Sequence, residues 1–86
     1  MRHRFLILAQ RQAGVVPRIL GVLHARGLEL EALRVAPLAR AGAPPLAMLT
    51  LVTAGEPAAI ERVAQKIRQQ VRVQHVAYWP QTRKEN

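Results

Sequence analysis

The stretch from Arg11 to Leu33 constrains the fold of this chain more than any other part of it. A strand-like run ends before Gly14, an apolar-periodic segment follows, and Gly27 separates that segment from a second strand-like run beginning at Glu29. Glycine adopts the left-handed backbone that helix boundaries often need, so this pattern predicts a helix with a glycine at each end. The helix N-terminus then lies beside a neighbouring strand, where its N–H groups can bind a carboxylate.

The size of the chain limits it to one small domain. A chain of 86 residues buries only about 60–65% of its unfolded surface, so association with a partner would stabilise it. Half of the residues are hydrophobic, but the aromatic ones are only Phe5, Tyr78 and Trp79. The core must therefore be built from aliphatic side chains and alanine.

Hydrophobic periodicity predicts the element order βαββαβ. The first helix contains Pro17 in its first turn, and Pro57 opens the second, whose buried stripe is Ile60, Val63, Ala64 and Ile67. The alternation of apolar and polar residues along the second strand changes phase near Ala32, which indicates a β-bulge. This order is typical of an α+β, ferredoxin-like sandwich, with a four-stranded antiparallel sheet and two helices on one face. The strands are predicted at 4–10, 29–36, 46–53 and 71–78, with the first helix at 14–26.

The sheet face away from the helices is predicted to be apolar. A contiguous apolar surface usually marks an interface, so we expect this face to support self-association or docking. The predicted interface residues are Leu6, Leu8, Met48 and Val52.

The net charge of +8 raises nucleic acid as a partner. The arginines are spread along the chain, however, and no motif with aromatic side chains for stacking bases is present. A solvated basic surface is therefore the favoured interpretation, an acidic protein partner is the next, and nucleic acid is an unlikely partner.

The composition argues against an independent enzyme. The chain contains no serine, cysteine or aspartate, which removes the usual nucleophiles and phosphoryl-type metal ligands. The histidines, His3, His24 and His75, lack metal-ligand spacing, and the nearby pair Glu29 and Glu31 is expected at an exposed strand. We expect no catalytic residue, metal site or cofactor. With no signal peptide or membrane-spanning run, the expected location is the cytoplasm.

The sequence resembles the ACT domain of acetolactate synthase regulatory (small) subunits. In that family a strand leads into a Pro-Gly turn and a helix, and the helix is followed by Arg-Gly-Tyr-Asn-Ile-Glu. In this chain Gly14 stands at the turn, and the segment after the helix is Arg26-Gly27-Leu28-Glu29-Leu30-Glu31. The resemblance continues through Val35-Ala36-Pro37 and ends near Trp79. It implies an ACT domain over residues 1–79, followed by a polar tail over 80–86.

The resemblance also implies an effector site for a branched-chain amino acid, notably valine. Two positions depart from the family: Arg11 stands where a polar Asn or Glu is usual, and Glu29 stands where Asn is usual. If Arg11 and Glu29 pair with each other, they block the effector site. If they are apart, Arg11 can bind the carboxylate of an amino acid and Glu29 its ammonium group. We expect weak or lost valine feedback. The implied effector-binding residues are Arg11, Gln12, Ala13, Gly14, Val15, Val16 and Glu29.

The role implied by the resemblance is to bind and activate the catalytic (large) subunit of acetolactate synthase. Thiamine diphosphate, FAD and magnesium then belong to that partner, and this chain has no cofactor of its own. The single ACT unit resembles a short form of the small subunit. The alternative is a free-standing ACT homodimer that senses an amino acid, with a basic nucleic-acid-binding module less favoured. The role of the Pro44-Pro45 loop stays open.

Overall fold

The strands and helices follow one another along the chain in the predicted order βαββαβ. The computed structural model describes residues 1–81. Its sheet is antiparallel, with the strand order β2-β3-β1-β4, so the predicted α+β ferredoxin-like fold is confirmed. The elements are β1 (Arg2–Gln10), α1 (Val15–Ala25), β2 (Glu29–Leu38), β3 (Leu46–Ala54), α2 (Pro57–Arg68) and β4 (Val73–Pro80).

Helix α1 begins and ends where its glycines predict. Gly14 is the N-cap with φ 89°, and Gly27, just beyond the C-cap, has φ 74°. Both values lie in the left-handed region that favours glycine. The helix buries Val15, Ile19 and Leu23 at helical spacing, so one face packs inward.

Helix α2 has the buried stripe that its sequence predicts. Pro57 occupies the first turn, where its missing N–H has no acceptor to lose. The four residues of the stripe are all buried: Ile60, Val63, Ala64 and Ile67.

The core lies between the two helices and one face of the sheet. Phe5 and Ile7 of β1 stand opposite Leu51 and Leu49 of β3, and all four are fully buried. Tyr78 of β4 stacks on Phe5 with ring centroids 5.5 Å apart. Both helices therefore cover the same face of the sheet, as predicted.

The opposite sheet face carries the four predicted interface residues, but they are less accessible than expected. The register places Leu6 beside Thr50 and Leu8 beside Met48, and these side chains are half-buried. Val52 stands opposite Arg4 and is only 9% exposed. The prediction that Val52 presents an open apolar surface is therefore wrong, because its neighbours on the sheet already shield it.

Strand β2 carries four of the seven large hydrophobic residues that are exposed within residues 1–81, a concentration that the sequence pattern did not predict. It lies at the edge of the sheet, and within residues 1–81 the buried core cluster includes no β2 side chain. A register shift at Glu31 confirms a bulge close to the predicted position. The large exposed apolar residues of β2 are Leu30, Leu33, Val35 and Leu38.

Strand β4 lies two residues later than predicted. Val71 is 88% exposed and precedes the strand, which starts at Val73. At the other end the strand reaches Pro80, and the Gln81 N–H donates a 3.0 Å hydrogen bond to the Arg2 carbonyl. Strand pairing thus extends past the predicted boundary at Trp79. Of the predicted 80–86 tail, residues 82–86 lie outside the described residues.

Candidate effector site

The candidate site is the corner between the end of β1 and the start of α1. The Arg11 N–H donates to the Pro45 carbonyl at 3.3 Å, which anchors the turn beside the start of β3. An added Cβ at Gly14 would meet nothing within 4 Å, so the cap leaves open space in front of the helix. The chain therefore turns sharply into α1 and keeps this corner accessible.

A surface cleft of about 340 Å³ lies in this corner. Five of the seven predicted effector-binding residues line it, and Gly14 lies within the same turn. The other lining residues are Gln10, Val35 of β2 and Ala47 of β3, so the cleft spans the helix start and the edge of the sheet. The predicted lining residues are Arg11, Gln12, Ala13, Val15 and Val16.

The backbone at the helix start offers fewer free donors than expected. The Val15 N–H donates to the Gln12 carbonyl at 3.3 Å, and the Arg18 N–H donates to the Gly14 carbonyl at 3.1 Å. The Val16 N–H, by contrast, has no backbone acceptor in the part of the chain that the structure describes. The partial positive charge of the helix N-terminus still favours an anion here.

Arg11 is the charged group of the cleft, and no carboxylate lines it among residues 1–81. Its side chain is exposed, so a ligand can reach it from solvent. Together with the Val16 N–H, it provides cationic and polar groups for a carboxylate. Val16, Val35 and Ala47 provide an apolar wall. These groups fit an anion that bears a small apolar side chain.

Glu29, one of the predicted effector-binding residues, does not line this corner within one chain, so neither of the two arrangements considered for Arg11 and Glu29 forms there. Glu29 pairs with Ala54, whereas Val35, which lines the cleft, pairs with Leu49. The six steps along the strand from Glu29 to Val35 span roughly 20 Å. Within one chain, Glu29 therefore neither closes the corner nor provides a partner for an ammonium group there.

Three lining residues of the cleft were missed by the sequence analysis: Gln10, Val35 and Ala47. The Gln10 Oε1 accepts hydrogen bonds from Gln12 Nε2 at 3.4 Å and from Arg72 Nη1 at 3.3 Å. These contacts connect the corner to the segment before β4. Val35 and Ala47 reach the cleft through the register of β2 and β3, and the sequence carries no local signal for that register.

The described residues contain neither a metal-binding cluster nor a membrane-spanning helix. Residues 1–81 contain no group of three or more histidine, cysteine, aspartate or glutamate side chains arranged to hold a metal ion. Neither helix in this part of the chain has the length and apolar character needed to cross a membrane.

No protein-family model matches the sequence, but several solved structures resemble this fold. The ACT domain of the GTP pyrophosphokinase of Chlorobium tepidum matches with a TM-score of 0.69 and 13% identity, covering 92% of this chain and 97% of that domain. The acetolactate synthase small subunit of Thermotoga maritima matches with a TM-score of 0.73 and 20% identity, covering 91% of this chain and 47% of that one.

A homoserine dehydrogenase of Thiobacillus denitrificans also matches, with a TM-score of 0.74 and 15% identity. The match covers 92% of this chain but only 17% of the enzyme. The same small fold thus occurs within proteins of different activity, and these low identities establish the fold rather than a shared function. The chain accordingly has the ferredoxin-like fold of ACT domains.

Proposed function

We propose that this chain is a non-catalytic regulatory subunit that binds and activates the catalytic subunit of acetolactate synthase. The observation that carries the proposal is the cleft at the β1–α1 corner, where Arg11 lies beside an apolar wall that includes Val16, Val35 and Ala47. The resemblance over residues 26–37 and the likeness to the Thermotoga maritima small subunit support the finer assignment.

The mechanism that we propose is differential binding. A regulatory subunit that binds the active state of its catalytic partner more tightly than the inactive state shifts the population toward activity. This chain needs no nucleophile or cofactor for that role. An effector at the corner then acts by changing how tightly the regulatory subunit binds.

The edge of β2 supports self-association as part of this function. Leu33 and Val35 are 39% and 46% exposed, and their strand has an unpaired side. An exposed, apolar edge strand is a template for pairing with another chain. We propose that two copies pair their β2 strands in antiparallel orientation, which extends the sheet and covers these side chains.

Such a dimer brings a carboxylate to the corner that a single chain lacks. Antiparallel pairing about a two-fold axis places the start of the second copy's β2 beside the end of the first copy's β2. The Glu29 of the second copy then approaches the corner that holds Arg11. An acid at this position, facing an arginine, competes with a bound amino acid for Arg11, and we therefore propose a weak response to valine.

Activation is tested by mixing this chain with the acetolactate synthase catalytic subunit of the same organism. We expect co-elution of the two proteins and a several-fold increase in acetolactate formation. Absence of both association and rate change contradicts the proposal.

The corner is tested by calorimetry with valine, leucine and isoleucine. The variant Glu29→Asn is expected to bind valine at least about fivefold more tightly than the natural chain, because it removes the acid that competes for Arg11 and leaves Arg11 in place. The matched control is Glu61→Asn, which makes the same change at an exposed position of α2. Micromolar valine binding by the natural chain contradicts the weak response.

A free-standing amino-acid-sensing homodimer is the second candidate. The exposed apolar edge of β2 favours it, because self-pairing requires no catalytic partner. This candidate predicts that an amino acid changes the dimer dissociation constant of the isolated chain. The regulatory-subunit proposal predicts that the rate of the catalytic partner changes.

A further inference from the structure

A groove runs between α1 and α2 on the outer surface of the helix layer. Its volume is about 300 Å³, and a smaller extension of about 110 Å³ continues along α2. Arg26 and Lys66 line both parts, so the two form one continuous surface, here called the interhelical groove. Its other lining residues are Arg18, Gly21, Val22 and Ala25 in the main part and Arg62, Gln65 and Gln69 in the extension.

The interhelical groove is strongly basic and contains no carboxylate within residues 1–81. Arg18, Arg26, Arg62 and Lys66 line it, and all four are exposed. The one ion pair of the described chain, between Arg2 Nε and Glu31 Oε1 at 2.7 Å, lies on the sheet. Four cations from two helices thus converge without a neutralising partner in the described residues, which favours an anionic one.

The floor of the groove is small and apolar. Gly21 lies in the interior of α1, and an added Cβ would meet nothing within 4 Å. A glycine in a helix interior destabilises the helix relative to alanine, and packing within the described chain does not require one here. Together with Ala25 and the half-buried Val22, it leaves a low surface that another side chain can approach closely.

We propose that the interhelical groove is the docking site for a carboxylate-rich, amphipathic segment of the catalytic subunit, a proposal that rests on the proposed function. Arginine binds carboxylates through two parallel hydrogen bonds, so the rim suits such a segment. The apolar floor favours protein over nucleic acid, because a phosphate backbone has no apolar group to place there. The groove lining also contains no aromatic side chain for stacking a base.

The test measures the affinity of three variants for the acetolactate synthase catalytic subunit, between about 50 mM and about 300 mM NaCl. Lys66→Glu is expected to weaken binding at least about fivefold at low salt and to reduce the salt dependence. Gly21→Leu fills the floor and is expected to weaken binding at least about tenfold while raising the melting temperature, because leucine is the better helix former. Arg40→Glu is the matched control on the β2–β3 loop, with the same change in charge and unchanged affinity expected.

The outcomes separate the groove from the function. If the natural chain binds the catalytic subunit and both groove variants bind it equally well, the groove proposal fails while the proposed function stands. If Arg40→Glu weakens binding as much as Lys66→Glu, net charge alone is responsible and the groove proposal again fails. If the natural chain does not bind at all, both proposals fail. If Lys66→Glu loses affinity only for a single-stranded oligonucleotide, the groove binds nucleic acid and the proposal is wrong.

Discussion

Gly14 and Gly21 show how one residue type has two roles within eight residues of sequence. Gly14 has a φ of 89° at the start of α1, whereas Gly21 lies in the helical interior of the same element. Neither would clash if it carried a Cβ. The difference between them is therefore one of backbone conformation alone.

Replacing these two glycines with alanine is expected to change stability in opposite directions. Gly14→Ala should lower the free energy of unfolding by about 1–2 kcal/mol, because the left-handed conformation is strained for a residue with a Cβ. Gly21→Ala should raise it by about 0.5–1 kcal/mol, because alanine favours the helix. Urea denaturation measures both. A change of the same sign for the two variants contradicts this account.

His3 is a buried polar residue whose surroundings disfavour its charge. It is 5% exposed, its Nδ1 has no hydrogen-bond partner, and it stands opposite Thr53, whose Oγ1 is also buried without one. Burial, and secondly the positive charge of the chain N-terminus, lower the pKa of His3 below its ordinary value of 6.5. The fold therefore favours the neutral imidazole over the charged one.

The stability of the domain should consequently fall as the pH falls below about 6.5. Between the unfolded pKa and the lower folded pKa, the unfolded chain binds more protons than the folded one, so stability rises with pH. Urea midpoints measured from about pH 7.5 to about pH 5 should show this slope. His3→Leu should flatten it, while His24→Gln, at an exposed helical position, should retain it. An unchanged slope in His3→Leu contradicts the assignment.

At the scale of elements, β2 differs from the other three strands. The central strands β1 and β3 consist mostly of buried and half-buried residues, whereas nine of the ten residues of β2 are exposed. The helices cover the core side of β1, β3 and β4 but leave Leu33 and Val35 accessible. A strand of this kind is suited to pairing with another chain.

Val35→Lys should therefore weaken self-association by at least about tenfold, because a charge on an edge strand opposes pairing. Analytical ultracentrifugation over a concentration series measures the dimer dissociation constant. Val71→Lys is the matched control, since Val71 is 88% exposed and lies outside the strands. Equal dissociation constants for the two variants would exclude the β2 edge as the interface.

At the scale of the whole molecule, stability depends on a core in which aromatic packing is rare. Phe5 is fully buried and stacks against Tyr78, while the rest of the core cluster is aliphatic or alanine. A domain of 86 residues has a free energy of unfolding of about 4–13 kcal/mol. A single large cavity thus removes a large fraction of the total.

Phe5→Ala should lower the free energy of unfolding by about 3–5 kcal/mol. The loss comes from the buried apolar surface and the cavity that the ring leaves. Trp79→Ala is the matched control, because Trp79 is 42% exposed and its removal should cost much less. Thermal and urea unfolding measure both variants, and comparable losses would show that Phe5 is not central to the core.

The sequence by itself determined the order of the elements and the faces that β1, α1 and α2 bury. The alternation in β1, the stripe of Ile60 and Ile67 in α2, and the glycines bounding α1 all act through neighbours a few residues apart. Local sterics and local periodicity are sufficient for such features. The turn that forms most of the candidate site was predictable for the same reason, since Arg11–Val16 is one continuous segment.

The tertiary structure alone decided which distant residues meet. The strand register places Glu29 far from the β1–α1 corner and places Val35 and Ala47 in it. The packing of α1 on α2 also brought Arg26 and Lys66 together, although the sequence separates them by forty residues. Pairing of this kind depends on long-range contacts and strand order, and a local pattern specifies which face of a strand is buried but not which strand lies beside it.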